Sequence, residues 1–410
     1  MLIKQKIVLV TSGQPALNPR LVKEADALCD NGYDVLVIYS YWNEWGDKFT
    51  KQLLTKKKWK AINAGGHPIE SPVNYYLSKV LYKTAKWFFT NFSLCANFAV
   101  SRTGYSLLTE AKRHKADLYI GHNLGALRAV IAAAKKYNAK CGFDAEDFHR
   151  MEVNDDIQSF NYKIVKHIED SYYKKLDYLS TSSPQTTEAY LKIYSSLKPV
   201  TVVNMFPKTR EIVQTSYSGM PLKLFWFSQT IGPNRGLERA IEAIGLTKSA
   251  IELHLLGKPA EGFKQLLLQL AQTVGISSER IFFYEPVEPD EIFEFAAQFD
   301  VGLASETGFS TNNSMALSNK IFTYVQSGLA VAASNTPAQI KFINQYSETG
   351  KIYKNASELS VILNRYNDDR ELLHQTKNAS FSIGQTQINW ETESRKFLNV
   401  VEKILNKVEL

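Results

Sequence analysis

The stretch SNKIFTYVQSGLAVAASNTPAQ, residues 318–339, decides how this chain is read. Ile321, Phe322 and Val325 recur at helical spacing. Gly328 stands where a helix stops, and residues 329–333 read as a strand of small apolar side chains covered on both faces. A helix feeding such a strand is half of a parallel α/β unit. The helix opens on Ser318, Asn319 and Lys320. A helix start offers unpaired N–H groups and the positive end of the dipole, which suits a phosphate, and Lys320 adds a full charge there.

The same alternation continues outward in both directions. In the first half, strands are expected near 6–11, 33–39, 117–120, 140–143, 178–181 and 200–203, with helices that include 19–30, 126–137 and 185–195. The pattern restarts after Gly219, with strands near 222–227, 251–256, 280–283, 301–304, 329–333 and 351–353. A chain of 410 residues exceeds one ordinary core. The pattern therefore predicts an α/β protein of two Rossmann-like domains, each a parallel sheet covered by helices. Ligands of such sheets bind beyond the carboxyl ends of the strands, and two sheets facing each other leave a cleft. The polar, proline-bearing stretch 206–221, FPKTREIVQTSYSGMP, is the expected linker. The expected domains are 1–205 and 206–385, with a last amphipathic helix near 392–408.

Composition excludes several classes. With 44% hydrophobic and 22% charged residues, disorder is not expected. A formal net charge of +7 favours anionic partners without naming one. The three cysteines, Cys29, Cys95 and Cys141, form no CxxC pair and each sits among apolar neighbours, so packing thiols and a cytoplasmic location are expected. The opening MLIKQKIVLVTSG reads as a first strand rather than a signal peptide, and no apolar run approaches the roughly 20 residues of a spanning helix. Residues 42–98 break the tidy alternation. A basic run, Lys56, Lys57, Lys58 and Lys60 around Trp59, precedes an aromatic helix with Tyr75, Tyr76, Tyr82, Trp87, Phe88, Phe89 and Phe92. Two readings stand: a charged loop with a core helix, or a contact with an anionic membrane surface or lipid acceptor.

Three segments of the second half should converge at strand ends. They are FSQTIGPNRG (227–236), the pair LLGKP (255–259) and FYEPV (283–287), and ETGFSTNNSMALSNK (306–320). Together with residues 318–339 they resemble the retaining glycosyltransferases of the GT-B group, family 4 in particular. The resemblance implies the following roles. Arg235, in the loop with Ser228, Gln229 and Gly232, and Lys320 face the donor diphosphate. A guanidinium fits phosphate oxygens in bidentate fashion. Ser318 and Asn319 add the helix start, Gly257 and Tyr284 belong to the nucleobase pocket, and Glu306 matches the glutamate at the donor sugar. The family's second glutamate, at the ribose, stands five residues before the helix-ending glycine; here that position is Thr323, and eight residues earlier is Met315. The final helix, opening INWE, resembles one that crosses back onto the first domain, so 386–410 joins 1–205.

The first domain is expected to hold the acceptor. The loop SGQPALNPR (12–20) gives Gly13, read as a position of unusual backbone angle, and Arg20, read as an anion contact or a surface side chain; it is not a dinucleotide fingerprint. His122, just past a strand in IGHNL, matches a family histidine near the transferred sugar. Glu146 and His149, in FDAEDFHR, orient an acceptor hydroxyl or cap a helix. The resemblance implies catalysis by His122, Glu306, Arg235 and Lys320, no metal, and no cofactor besides a nucleotide-diphosphate sugar as co-substrate. It implies a saccharide or lipid-linked acceptor, cell-surface polysaccharide assembly, and no nucleic-acid partner. Two other readings share the architecture: a nucleotide-sugar epimerase, and a non-catalytic sugar-nucleotide-binding protein.

Overall fold

The computed structural model describes residues 4–209, 221–289 and 291–406. Residues 210–220, most of the expected linker, lie outside them. Chain contacts divide the protein into two units, Met1–Val203 with Ser394–Leu410, and Asn204–Glu393.

In the first unit the strands are β1 (Lys6–Thr11), β2 (Asp34–Tyr39), β3 (Lys60–Asn63), β4 (Leu118–His122), β5 (Lys140–Ala145), β6 (Tyr178–Thr181) and β7 (Val200–Thr201). Their order in the sheet is β3-β2-β1-β4-β5-β6-β7. In the second unit the strands are β8 (Leu222–Ile231), β9 (Ile251–Pro259), β10 (Ile281–Tyr284), β11 (Val301–Ala304), β12 (Ala330–Ser334) and β13 (Gly350–Tyr353), in the order β10-β9-β8-β11-β12-β13. Among the described residues every pairing is parallel. The strand order reverses between β1 and β4 in one sheet and between β8 and β11 in the other. A crevice opens where the loops diverge at such a reversal.

The quoted stretch folds as a helix, Asn319–Gln326, followed by β12, and β12 is buried throughout. Tyr324 fixes the helix on the sheet. Its ring lies over Gly302 of β11, where an added Cβ would come within 2.2 Å of the ring, and its hydroxyl donates to the Leu303 carbonyl at 3.0 Å. Gln326 then ties the helix to the following layer, donating to the carbonyls of Gly384 at 3.0 Å and Ile388 at 2.6 Å. The other face of this sheet is closed by Leu224, Trp226, Leu253 and Leu255 against Leu237, Ile241, Leu267 and Leu363.

Several expectations are corrected. β8 does not end at Phe227 but continues to Ile231, paired with β9 as far as Pro259 across a register shift between Phe227 and Thr230. Two charges of the basic run are paired, while Lys56, Lys58 and Lys60 stay exposed. Trp59 is buried with its indole N–H on Asp26 at 2.8 Å, Lys57 pairs with Asp26 at 2.6 Å, Lys58 pairs with Asp30 at 2.8 Å, and Lys60 begins β3. The following helix, Pro72–Phe92, is not a core helix: Val73, Tyr76, Leu77, Val80, Leu81, Trp87, Phe88 and Phe92 are exposed. Cys141 is buried, which pushes its thiol up to about 12, whereas Cys95 is exposed rather than packed. Among the described residues no helix is long and apolar enough to cross a membrane.

Candidate functional site

In the second unit the site forms where β8 and β11 part. Gly236 begins the Leu237–Gly245 helix with φ +72°, and a Cβ there would meet the Ser305 carbonyl oxygen at 2.6 Å. Glycine is required because the Arg235 loop rests against the end of β11. Two hydroxyls hold the loops together: Ser305 Oγ donates to the Arg235 carbonyl, and Thr307 Oγ1 donates to the Asn234 carbonyl at 3.4 Å. Arg235 thus stands beside the loop that carries Glu306. Its side chain is exposed and makes no hydrogen bond or ion pair among the described residues.

Glu306 is the centre of this site. Its Oε1 accepts from Lys320 Nζ at 2.9 Å and from Ser318 Oγ at 2.8 Å, and its Oε2 from Asn313 Nδ2 at 3.4 Å. Ser334 Oγ donates to the Glu306 carbonyl at 2.6 Å, fixing the backbone behind it. Burial pushes the Glu306 carboxyl up, but the Lys320 charge and the three donors outweigh it and hold the group below its usual range. The Lys320 ammonium also lies 5.5 Å from the centroid of the Trp226 ring. Ser318 precedes the 319–326 helix in extended geometry but spends its hydroxyl on Glu306 instead of capping. The first N–H groups of that helix are left without a side-chain cap, with Lys320 at their edge. This can hold an anion of two or more charges.

Other second-unit residues fall less simply. Ser228 and Gln229 lie in the irregular part of β8, half-buried and exposed respectively. Gly257, at φ +145°, lets β9 pass this bulge; a Cβ would come within 2.1 Å of the Ser228 carbonyl oxygen. Gly232 is buried just after β8, and Asn319 is exposed. The Tyr284 ring stacks at 19° to His254 and packs edge-on against Phe295. Its hydroxyl is 2.9 Å from His254 Nδ1. Burial, with Lys223 adding to it, pushes His254 down to about 3. Thr323 requires correction: it is fully buried and its hydroxyl donates to the Asn319 carbonyl at 3.4 Å, so it presents no acceptor to a ribose. The reading missed Asn313, Ser305 and Ser334. Asn313 sits in a short helix, Thr311–Met315, capped by Ser310, inside what the sequence presents as a loop.

In the first unit the strand ends carry a buried charge cluster. Arg20 is neither a surface side chain nor an anion contact. It is buried, its guanidinium binds Asp144 through Nε and, at 2.7 Å, through Nη2, and it also donates to the Val202 carbonyl. His122 is fully buried, so its ring is not open to a sugar. Its Nε2 lies 3.2 Å from Glu24 Oε2, and its Nδ1 lies 3.5 Å from Glu146 Oε1 and 3.8 Å from Asp144 Oδ2. The cause is register: His122 on β4 lies opposite Thr11 on one side and Asp144 on the other, beneath the Pro19–Asp30 helix. Burial pushes His122 down, but Glu24 and the other carboxylates reverse this and carry it up to about 10. Burial and Asp144 push Glu24 up, and Arg20 overcomes burial to hold Asp144 down.

His122, Asp144 and Glu146 offer ligand atoms within 4.8 Å of one another, the geometry of a cation site. Asp144 is already saturated by Arg20 and by Ser180 Oγ at 2.6 Å, and Arg20 supplies the balancing charge, so these residues do not fit a divalent ion. Glu146, partly exposed, accepts from Asn18 Nδ2 at 2.6 Å. His149 does not join it. Its Nδ1 lies 2.9 Å from Glu152 Oε2, and although burial pushes the ring down, Glu152 lifts it to about 9. Gly13 has no positive φ; it is an ordinary turn residue whose carbonyl accepts from Ser40 N–H at 3.0 Å.

No family model and no curated protein sequence matches this chain. Solved structures do. One is Alr3699/HepE of Anabaena in complex with UDP, at 14% identity over 97% of this chain and 100% of that one, with a TM-score of 0.67. A glycosyltransferase from Rickettsia africae matches at 14% identity over 98% and 99%, with a TM-score of 0.68. Sucrose-phosphate synthase from Thermosynechococcus elongatus matches at 13% identity over 98% and 100%, with a TM-score of 0.65. At such identities the likeness is one of fold. The chain has the two-domain α/β GT-B fold.

Proposed function

We propose that this protein is a retaining, metal-independent glycosyltransferase of the family 4 type, moving a sugar from a nucleotide-diphosphate sugar to a hydroxyl acceptor. The observation that carries this reading is the Glu306–Lys320–Ser318 cluster at an uncapped helix start, where β8 and β11 part. The UDP held by the Anabaena neighbour supports a nucleotide donor.

The geometry suggests how the groups would act. The Lys320 ammonium is bound to Glu306 at 2.9 Å. A diphosphate at the helix start competes for that ammonium and draws in the exposed Arg235. Glu306, released from Lys320, is then free to accept hydrogen bonds from hydroxyls of the donor sugar. As the sugar–phosphate bond breaks, charge grows on the departing diphosphate. Lys320, Arg235 and the helix N–H groups stabilise it where it develops. Attack of the acceptor on the same face of the sugar needs no protein nucleophile. In the first unit the partly exposed Glu146 is the carboxylate offered to an acceptor hydroxyl, with His122 and Asn18 fixing it from behind.

The acceptor in this reading is a saccharide or lipid-linked glycan of cell-surface polysaccharide assembly, met at the cytoplasmic face of an anionic membrane. The exposed apolar face of the Pro72–Phe92 helix supports that contact. The test is nucleoside-diphosphate release across a panel of nucleotide sugars, with and without lipid-linked acceptors. Acceptor-dependent release with one donor is expected. An isomerised donor without acceptor, or tight binding with no product, would contradict it.

A further inference from the structure

The Pro72–Phe92 helix has an unusual surface for a water-facing element. Its 21 residues span about 30 Å and include Lys79, Lys83 and Lys86 but no acidic residue. Val73, Leu77, Val80, Trp87 and Phe88 share its outward face at helical spacing, with Val73 78% and Trp87 56% exposed. Two lysine ammonium groups lie over aromatic rings: Lys79 Nζ is 4.4 Å from the Tyr75 centroid and Lys86 Nζ 4.7 Å from that of Tyr82. Positive charge flanking an exposed apolar stripe is complementary to an anionic bilayer surface.

A cavity of about 340 Å³ opens beside this stripe. That is within the roughly 300–1,000 Å³ of small-molecule sites. Leu77 and Leu81 belong both to its wall and to the exposed helix face. Arg102 also lines it. The Arg102 guanidinium is half-buried and donates to the Gly65 carbonyl at 2.9 Å, to the Tyr41 carbonyl at 2.7 Å and to Ser78 Oγ. It lies 4.7 Å from the centroid of the Tyr75 ring. Among the described residues no carboxylate pairs with it. The one acidic residue of the lining, Glu110, is engaged by Arg113 at 2.9 Å and by His114 at 3.0 Å. A half-buried cation that faces two carbonyls, a hydroxyl and an aromatic ring lacks a counter-ion, and burial accordingly weakens its hold on its proton.

We infer that this cavity is a subsite for the phosphate group of a lipid, with Arg102 as the phosphate ligand and Leu77 and Leu81 leading the acyl or prenyl chain onto the apolar face of the Pro72–Phe92 helix. The inference rests on the membrane contact proposed above and is independent of the donor site. It gives the membrane-facing unit a chemical specificity, for phosphate-bearing lipids over neutral ones, that an apolar stripe alone does not have.

The test uses the full chain and monomeric dioctanoyl phosphatidic acid, with dioctanoylglycerol and inorganic phosphate as comparison probes. Variants are Arg102→Gln, Arg102→Lys and Ser106→Tyr, the last filling the cavity from its wall. Phosphatidic acid is expected to bind the wild type at least about tenfold more tightly than either comparison probe. Loss of one charge-assisted contact predicts a fall of about 10- to 100-fold for Arg102→Gln, and a smaller one for Arg102→Lys. Ser106→Tyr should lose binding while melting like the wild type, which decides the matter if Arg102→Gln misfolds. Wild-type affinity retained in both Arg102→Gln and Ser106→Tyr, or inorganic phosphate binding as well as the lipid, overturns the subsite. On vesicles of phosphatidylcholine with phosphatidic acid, two further variants, Trp87→Ser and Phe88→Ser, serve as surface controls, and loss of binding in these alone leaves a surface contact and likewise overturns the subsite. Nucleoside-diphosphate affinity, measured on the same variants, should not move; its absence in the wild type would refute the donor reading instead.

Discussion

Replacing Lys320 by alanine removes the cation from Glu306 and leaves a carboxylate that is 14% exposed, with Ser318 and Asn313 as its only side-chain donors among the described residues. Breaking a buried ion pair by deleting one partner costs about 3–5 kcal/mol. Because both side chains keep a little more than a tenth of their surface open, the low end, about 3 kcal/mol, is expected at neutral pH. In a unit of this size that is a fall of about 6–12 °C in melting temperature. The pH dependence carries the diagnosis. In the wild type the Glu306 carboxyl is held below its ordinary 4.5, so its contribution is present above that value and lost as pH falls through the folded one. In Lys320→Ala burial dominates and the carboxyl moves above 4.5. Its penalty then exists only where it is ionised and disappears on acidification. Calorimetric melting from pH 4.5 to 8 should show the gap between wild type and variant widest near neutrality and closing toward pH 4.5. The double variant Glu306→Gln/Lys320→Met should recover much of the loss. A gap that ignores pH, or a double variant worse than the single one, would refute an ion pair at the heart of this site.

Further outcomes follow from the same contacts. Arg20→Ala strands Asp144 and Glu24 in the first unit and should destabilise it by about 3–5 kcal/mol in urea titrations. His122 is held near 10 in the fold against an ordinary 6.5, so its contribution is complete below about 6.5 and fades as pH rises through about 10. The stability gap between wild type and His122→Gln should therefore narrow across that window; a constant gap would contradict it. Gly257→Ala puts a Cβ against the Ser228 carbonyl at φ +145° and should cost about 1–3 kcal/mol, with weaker nucleotide binding because the β8 bulge must shift. Glu306→Gln should reduce turnover more than nucleoside-diphosphate affinity; the reverse would move Glu306 away from the sugar. Chelators should leave turnover largely intact, and full loss with rescue by a divalent ion would count against the metal-free mechanism.

The sheets were legible because parallel strands covered on both faces are continuous apolar runs, as in LAVAA before Ser334. β8 beyond Phe227 was not, because Ser228, Gln229 and Thr230 form an irregular, solvent-facing strand end whose polarity reads as loop. Glu306 and Lys320, 14 residues apart, could be placed together by motif. Arg20 could not, because the carboxylate that buries it, Asp144, lies 124 residues away and nothing local marks a guanidinium as internal. His122 has the same history: its position at a strand end was read correctly, but the side its ring faces depends on Glu24, a residue of another element. The partners of Lys57 and Lys58 were not legible, because Asp26 and Asp30 lie one helical turn apart in the Pro19–Asp30 helix. That spacing was visible, but the pairing across the sheet edge was not.

The central claim is that Arg235 and Lys320 jointly bind the diphosphate of a nucleotide sugar. Calorimetric titration of wild type, Arg235→Ala, Lys320→Ala and the double variant with UDP and with uridine tests it most directly. The account predicts that UDP binding weakens about 10-fold or more in each single variant and is nearly abolished in the double one, while uridine, lacking phosphate, is indifferent to all three. UDP affinity unchanged in both single variants would contradict it.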